Sequence, residues 1–82
     1  MIQHATIYVY LHGGIVHSYP ITAKTKDLLG AKAREHCAAI AMNGFRANDG
    51  KREMTWFMPH WIDKIKVLGD IPTGYPSTIT GT

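Results

Sequence analysis

The sequence predicts a small α+β domain: an antiparallel sheet in ββαββ order with one helix packed on one face. Three observations carry that expectation. Residues 4–12 alternate strictly, with Ala5, Ile7, Val9 and Leu11 on one side and Thr6, Tyr8, Tyr10 and His12 on the other, the period-two signature of a half-buried strand. Residues 25–44 hold a capping residue, an apolar stripe at three- and four-residue spacing and a closing glycine, which bound a helix at both ends. Two further strand-like runs follow the helix, at 52–58 and 64–68.

The first strand runs into Gly13-Gly14, and two glycines supply the positive φ angles that a two-residue primed hairpin turn demands. The return strand is expected at 15–21. Such a turn sets Leu11 against Val16, Tyr10 against His17, Val9 against Ser18 and Tyr8 against Tyr19. Tyr8, Tyr10, His17 and Tyr19 then gather on the face away from the core. A slip of one residue would send the return strand's whole set to the opposite face.

In the helix, Thr25 is the expected N-cap, Asp27 complements the positive end of the helix dipole, and Gly44 stops the helix after Asn43. Leu29, Ala33, His36, Cys37 and Ile40 share one face, opposite Asp27, Arg34, Glu35 and Ala38. The inward residues are mostly small, so the helix can lie close to the sheet. Gly30 weakens it by about 1 kcal/mol relative to alanine. Residues 46–51 read as a turn-rich connection centred on Asp49-Gly50. The strand at 52–58 is closed by Pro59, which cannot donate to a ladder, and 60–63 form a short turn. The last strand, 64–68, points Ile65 and Val67 inward and Lys64 and Lys66 outward. Beyond Asp70 the chain turns to Pro, Gly, Ser and Thr. The expected division is therefore one domain at 1–69 and an extended or disordered tail at 70–82.

Bulk composition narrows the function classes. Eighty-two residues allow one core that buries roughly 60–65% of the unfolded chain's surface. Cys37 is the single cysteine, so no intrachain disulfide can staple the domain, and a reducing, cytoplasmic setting is expected. An apolar share of 45% against 18% charged residues fits a folded domain rather than a disordered one. No apolar run approaches the roughly 18 residues of a membrane span, and the start has no basic segment leading into an apolar one. A net charge of +3 permits attraction to nucleic acid or to an acidic protein face without demanding either.

No residue pattern requires catalysis. Five histidines raise the question of a metal, but no C-x-x-C or H-x-x-x-H spacing is present, and neighbours such as His36 and Cys37 diverge by about 100° on a helix. No metal and no cofactor is expected. Cys37 falls on the apolar helix face, where a thiol behaves as a small hydrophobe. Gly13-Gly14 joins two strands and lacks the spacing of a phosphate-binding loop. An enzyme is not expected.

Two features remain. Residues 1–23 contain no Lys, Arg, Asp or Glu, so the solvent face of the hairpin offers Tyr8, Tyr10, His17 and Tyr19 where charges are usual. Tyrosine supplies contact area with little entropy loss and a polar tip. The second feature is the run 54–61, which crowds two tryptophans, two methionines and a phenylalanine. One of Trp56 and Trp61 is expected in the core and the other as an exposed anchor. These features point to a non-enzymatic protein-binding module, self-associating in one form of that reading, with Tyr8, Tyr10, His17, Tyr19, Trp56 and Trp61 as contacts. The alternative is a small basic nucleic-acid binder using Lys51, Arg52, Lys64 and Lys66 beside a tryptophan. Against it, Asp27, Glu35, Glu53 and Asp63 interrupt the basic residues, and no RNP signature is present.

The order of elements (5–10, Gly13-Gly14, 15–21, Thr25-Lys26-Asp27-Leu28-Leu29, then the strands within 56–67) resembles the plan of several small phage-borne proteins, anti-CRISPR inhibitors among them. That resemblance implies a compact domain without catalytic residues, acting in the host cytosol on a host protein or ribonucleoprotein by surface complementarity. Many such inhibitors are acidic mimics of nucleic acid, whereas this chain is basic. With no shared motif, no functional residue carries over.

Overall fold

The computed structural model describes residues 1–48, 54–69 and 78–80. Among the described residues the fold has two antiparallel sheets, one α-helix and a short 3-10 helix. Strands β1 (Gln3–Leu11) and β2 (Ile15–Ala23) form the first hairpin, and α1 (Lys26–Asn43) follows. Next come β3 (Phe45–Asn48), β4 (Met54–Phe57), a one-turn 3-10 helix (Pro59–Trp61), β5 (Ile62–Gly69) and β6 (Thr78–Thr80). The main sheet has the order β2-β1-β5-β6, and β3 pairs with β4 as a separate ribbon. The α+β class and the single helix laid on the sheet are as the sequence predicts. No helix among the described residues is long and apolar enough to cross a membrane.

Alternation along β1 organises the core. Ala5, Ile7, Val9 and Leu11 are buried, with Ile7 and Val9 at 0% exposure. β5 lies against β1 with Val67 opposite Ile7 and Ile65 opposite Val9, and both point inward as expected. The register shifts between Tyr10 and Leu11, which pair with Lys64 and Ile62, so Asp63 is the extra residue of a bulge. That extra residue lets Ile62 and Ile65, three apart in sequence, share the buried face. Where a turn at 60–63 is expected, the 3-10 helix occupies Pro59–Trp61 and β5 begins at once.

Leu29, Gly30, Ala33, Cys37 and Ile40 close the core from α1. Burying a side chain such as Leu29 or Ile65, both at 0% exposure, contributes about 1.5–3 kcal/mol. The Thr25 hydroxyl accepts the Leu28 N–H at 3.1 Å, the N-cap bond that its sequence position implies.

The hairpin register differs from the expected one. Leu11 faces Ile15, Tyr10 faces Val16, Val9 faces His17, Tyr8 faces Ser18 and Ile7 faces Tyr19. The connection is therefore three residues, His12-Gly13-Gly14, with both glycines at positive φ. The physical reason lies in β2. This register turns Ile21 and Tyr19 toward the core and leaves Ser18 and Pro20 outside, whereas the two-residue turn would have buried Ser18 and Pro20. His17 and Tyr19 consequently lie on the helix side of the sheet, and Tyr8 and Tyr10 on the other.

Two further expectations change. Residues 46–48, expected within a turn-rich connection, belong instead to β3, with Phe45 opposite Phe57 and Arg46 opposite Trp56. Asp49-Gly50 and residues 51–53 lie outside the described residues, so the strand expected at 52–58 is seen at Met54–Phe57. Within the expected tail, Thr78–Thr80 adds to the main sheet beside Lys64–Lys66 of β5; the rest of 70–82 lies outside the described residues.

Gly44 joins the helix to the ribbon. Its φ is +91°, and its N–H donates to the Ile40 carbonyl at 2.8 Å. A Cβ there would overlap the Phe57 carbonyl oxygen. Gly13, at φ +89°, has nothing within 4 Å of such a Cβ. Gly13→Ala is expected to cost about 1–2 kcal/mol from backbone strain alone. Gly44→Ala should cost more, because backbone must also move, and thermal denaturation followed by circular dichroism compares the two.

Candidate functional site

β2 is an edge strand, and its outer edge is the starting point of the site. The Lys32 ammonium donates to the Thr22 carbonyl at 3.0 Å from outside the sheet, so even-numbered residues of β2 direct their backbone groups away from β1. Pro20 occupies one of these positions, where a missing N–H breaks no ladder bond. Ser18 occupies another and keeps its donor and acceptor facing outward.

Beside this edge runs an open cleft of about 990 Å³, walled by β2, the second half of α1 and the β3–β4 ribbon. An aromatic pile forms its floor. Tyr19 stacks with Phe45 at a centroid distance of 6.1 Å and an interplanar angle of 17°. His17 lies 5.5 Å from the Phe45 ring and 5.8 Å from the Phe57 ring. The Tyr19 hydroxyl and His36 Nδ1 share a hydrogen bond of 2.9 Å. Burial raises the Tyr19 phenol from 10.0 to about 12, with the neighbouring Cys37 adding to the effect. Tyr19 is therefore a neutral, positioned wall of the cleft at neutral pH.

Trp56 forms the rim. Its indole N–H donates to the Asn43 carbonyl at 2.9 Å, satisfying one of the acceptors left open in the last turn of α1. The Arg46 guanidinium lies 5.4 Å from the centre of the ring. The ring is thus held at its N–H edge and approached by a cation while remaining 49% exposed. A large aromatic surface fixed in place and open to solvent is the kind of group that anchors a partner at small entropic cost.

Of the residues that the sequence singles out for protein contact, His17, Tyr19 and Trp56 come together in this cleft. Trp61 does not: it sits by the hairpin turn, edge-on to His12 at 5.7 Å, where its carbonyl accepts the His12 N–H. The expectation that one tryptophan belongs to the core is corrected, since Trp61 is 44% exposed as well. Phe45 and Phe57 take the core-side volume instead. Tyr8 and Tyr10 occupy the opposite face of the sheet, next to Lys66 and Lys64 respectively. The Lys64 ammonium lies 4.6 Å from the Tyr10 ring centre. Lys51 and Arg52 lie outside the described residues, and Lys64 and Lys66 are grouped with tyrosines rather than with a tryptophan.

Arg46 carries no sequence signal of a cleft residue because 46–51 reads as a connection, and Asn43 and Phe45 carry none because the helix end and a four-residue strand leave too little pattern. The available signal was Asp49-Gly50 between two strand-length runs, which marks a hairpin as well as a loop. His36 was legible on the helix face, but not its pairing with Tyr19.

The cleft is lined by aromatic rings, the Arg46 guanidinium, the His36 imidazole and the Ser18 and Thr55 hydroxyls. Cys37 is buried, and burial pushes its thiol up from its ordinary range, away from the thiolate a nucleophile needs. Among the described residues no three of His, Cys, Asp or Glu come close enough to hold a metal ion.

The Tyr19 shift has a measurable sign. A phenol whose folded pKa exceeds its unfolded one keeps its proton longer when folded, so its contribution is complete below pH 10 and is lost as pH rises toward 12. Alkaline titration by tyrosinate absorbance should show one late-ionising phenol that Tyr19→Phe removes. The stability of the native chain should fall across the same interval faster than that of the variant.

No protein-family model matches the chain, and neither does any curated protein or solved structure compared with it.

Proposed function

We propose that the chain is a non-enzymatic protein-binding module that takes an extended segment of a partner protein into the cleft beside β2. The observation that carries this reading is the exposed Trp56 ring, held by Asn43 and Arg46 above an aromatic floor and next to an open strand edge. Strand addition supplies affinity from main-chain hydrogen bonds, and pockets for alternate side chains supply selectivity. Ser18 would provide the N–H and carbonyl of such pairing, while His17, Tyr19 and Trp56 would receive side chains. Residues 1–23 contain no Lys, Arg, Asp or Glu that would deter another strand from approaching, and the Lys32 ammonium meets the edge at Thr22, two residues beyond Pro20. Blocking of a host protein or ribonucleoprotein is the form this activity takes if the likeness to phage-borne inhibitors holds. Pairing of β2 with β2 of a second copy is the self-associating form.

A random-peptide display selection with the full chain as bait tests the proposal. Extended peptides should be enriched, and Trp56→Ala should weaken them by about 2 kcal/mol or more, the cost of losing an aromatic anchor. Ser18→Pro should weaken them as well, because it removes an outward donor while leaving the ladder to β1 intact. Sedimentation reads any self-association, which Ser18→Pro should abolish. Binders indifferent to both substitutions, in variants with native circular dichroism, would overturn the cleft as the site.

A further inference from the structure

The sheet face opposite the cleft carries a second, separate pattern. Half-buried Tyr8 and Tyr10 lie on it on β1, with half-buried Lys66 and exposed Lys64 directly beside them on β5. The result is a ring and a cation, repeated once, in step. Successive positions on one face of a strand are two residues apart, about 6.6–6.8 Å. That is close to twice the 3.4 Å rise of stacked bases, so two consecutive bases could not lie on both rings while stacked on each other. They could do so in an extended single strand, whose bases splay onto separate aromatic side chains.

Charge complementarity selects the occupant. The alternate positions of β1, β2 and β5 that face this side include no Asp or Glu. Asp63 sits at the bulge, 3.9 Å from His12. Asp27 and Glu35 belong to α1, on the other side of the sheet. A base and a phosphate recur together at every step of a nucleic acid, as the ring and the cation recur here, whereas an acidic peptide repeats its carboxylates at a similar spacing without a planar ring beside each one. Lys64 now covers the Tyr10 ring at an exposed position. Its ammonium is free to swing to a phosphate and leave the ring to a base, a stronger partner for an aromatic face than an exposed cation.

We infer that the face of the main sheet away from α1 is a binding platform for single-stranded nucleic acid, with the half-exposed Tyr8 and Tyr10 rings stacking on two bases and Lys66 and Lys64 meeting the phosphates. This site is independent of the cleft, which lies across the sheet from it. It also assigns the basic residues of β5 a different aromatic partner from the tryptophans to which the sequence pairs them.

Fluorescence anisotropy of the full chain with short oligouridylate, oligothymidylate and a duplex of matching length tests the inference. The single strands should bind more tightly than the duplex. Preference for oligouridylate would identify RNA as the ligand, and equal binding would identify a platform common to both sugars. Tyr8→Ala/Tyr10→Ala should weaken single-strand binding at least about fivefold for each ring lost, while Tyr8→Phe/Tyr10→Phe retains it. Lys64→Gln/Lys66→Gln should make the logarithmic salt dependence shallower by about 1.4. Trp56→Ala should leave all of these values unchanged, which separates this platform from the peptide cleft. Absence of single-strand binding at low salt would overturn the inference. So would equal affinity for duplex, loss of binding in the phenylalanine variant, or tyrosine variants that alter only self-association by sedimentation.

Discussion

The alternation of β1 is the constraint on which the rest of this structure depends. β1 lies inside the main sheet, paired on both sides, and its odd-numbered side chains are sealed beneath α1. Removing Ile7 and Val9 from water fixes which way every neighbouring strand must face, because each partner shares the pleat of β1. The same alternation forces Tyr8 and Tyr10 out through the other side. Their neighbours on β5, Lys66 and Lys64, are out for the same reason, since Ile65 and Val67 must be in. A hydrophobic requirement on one face thus sets a polar and aromatic arrangement on the other.

The register of β2 shows how a core decides between turns of similar local quality. Gly13-Gly14 is compatible with a two-residue or a three-residue connection, because glycine adopts positive φ in either. What separates them is the set of side chains each would bury. Ile21 and Tyr19 release more apolar surface from water than Ser18 and Pro20 would, and a buried serine hydroxyl would need a partner. The three-residue connection follows, with His12 drawn into the loop. One consequence is structural: His17 and Tyr19 cross to the helix side and become the floor of a cleft instead of an outer surface.

That cleft depends on how α1 ends. Gly44 turns the chain at a φ that other residues rarely take and passes close enough to β4 that a side chain would not fit. The last helical carbonyls therefore lie within reach of Trp56, whose indole N–H closes on Asn43. A helix terminus that would otherwise rely on water is satisfied by the same aromatic ring that forms the rim. Stability of the α1 terminus and placement of Trp56 are consequently one arrangement. The two faces of the sheet carry different chemistry, a strand edge beside an aromatic cleft on one and tyrosines paired with lysines on the other.

The α+β class, the helix from Thr25 to Gly44, the inward Ile65 and Val67 and the outward Lys64 and Lys66 were all legible in the linear chain. Each follows from short-range periodicity or from a cap, and neither depends on what lies across the sheet. The pairing of Tyr8 and Tyr10 with lysines, the separation of His17 and Tyr19 from them, and the exposure of both tryptophans were not. These depend on register and on a bulge at Asp63, which are set by the apolar area a whole sheet can bury at once. β3 is not legible in the chain, because four residues beside a turn carry too little pattern to distinguish a strand from a connection. The sequence by itself determined which residues can form strands, helix and turns, because those preferences are local. Only the tertiary structure decided which side chains meet, because burial against α1 is a property of the assembled layers and of no single segment.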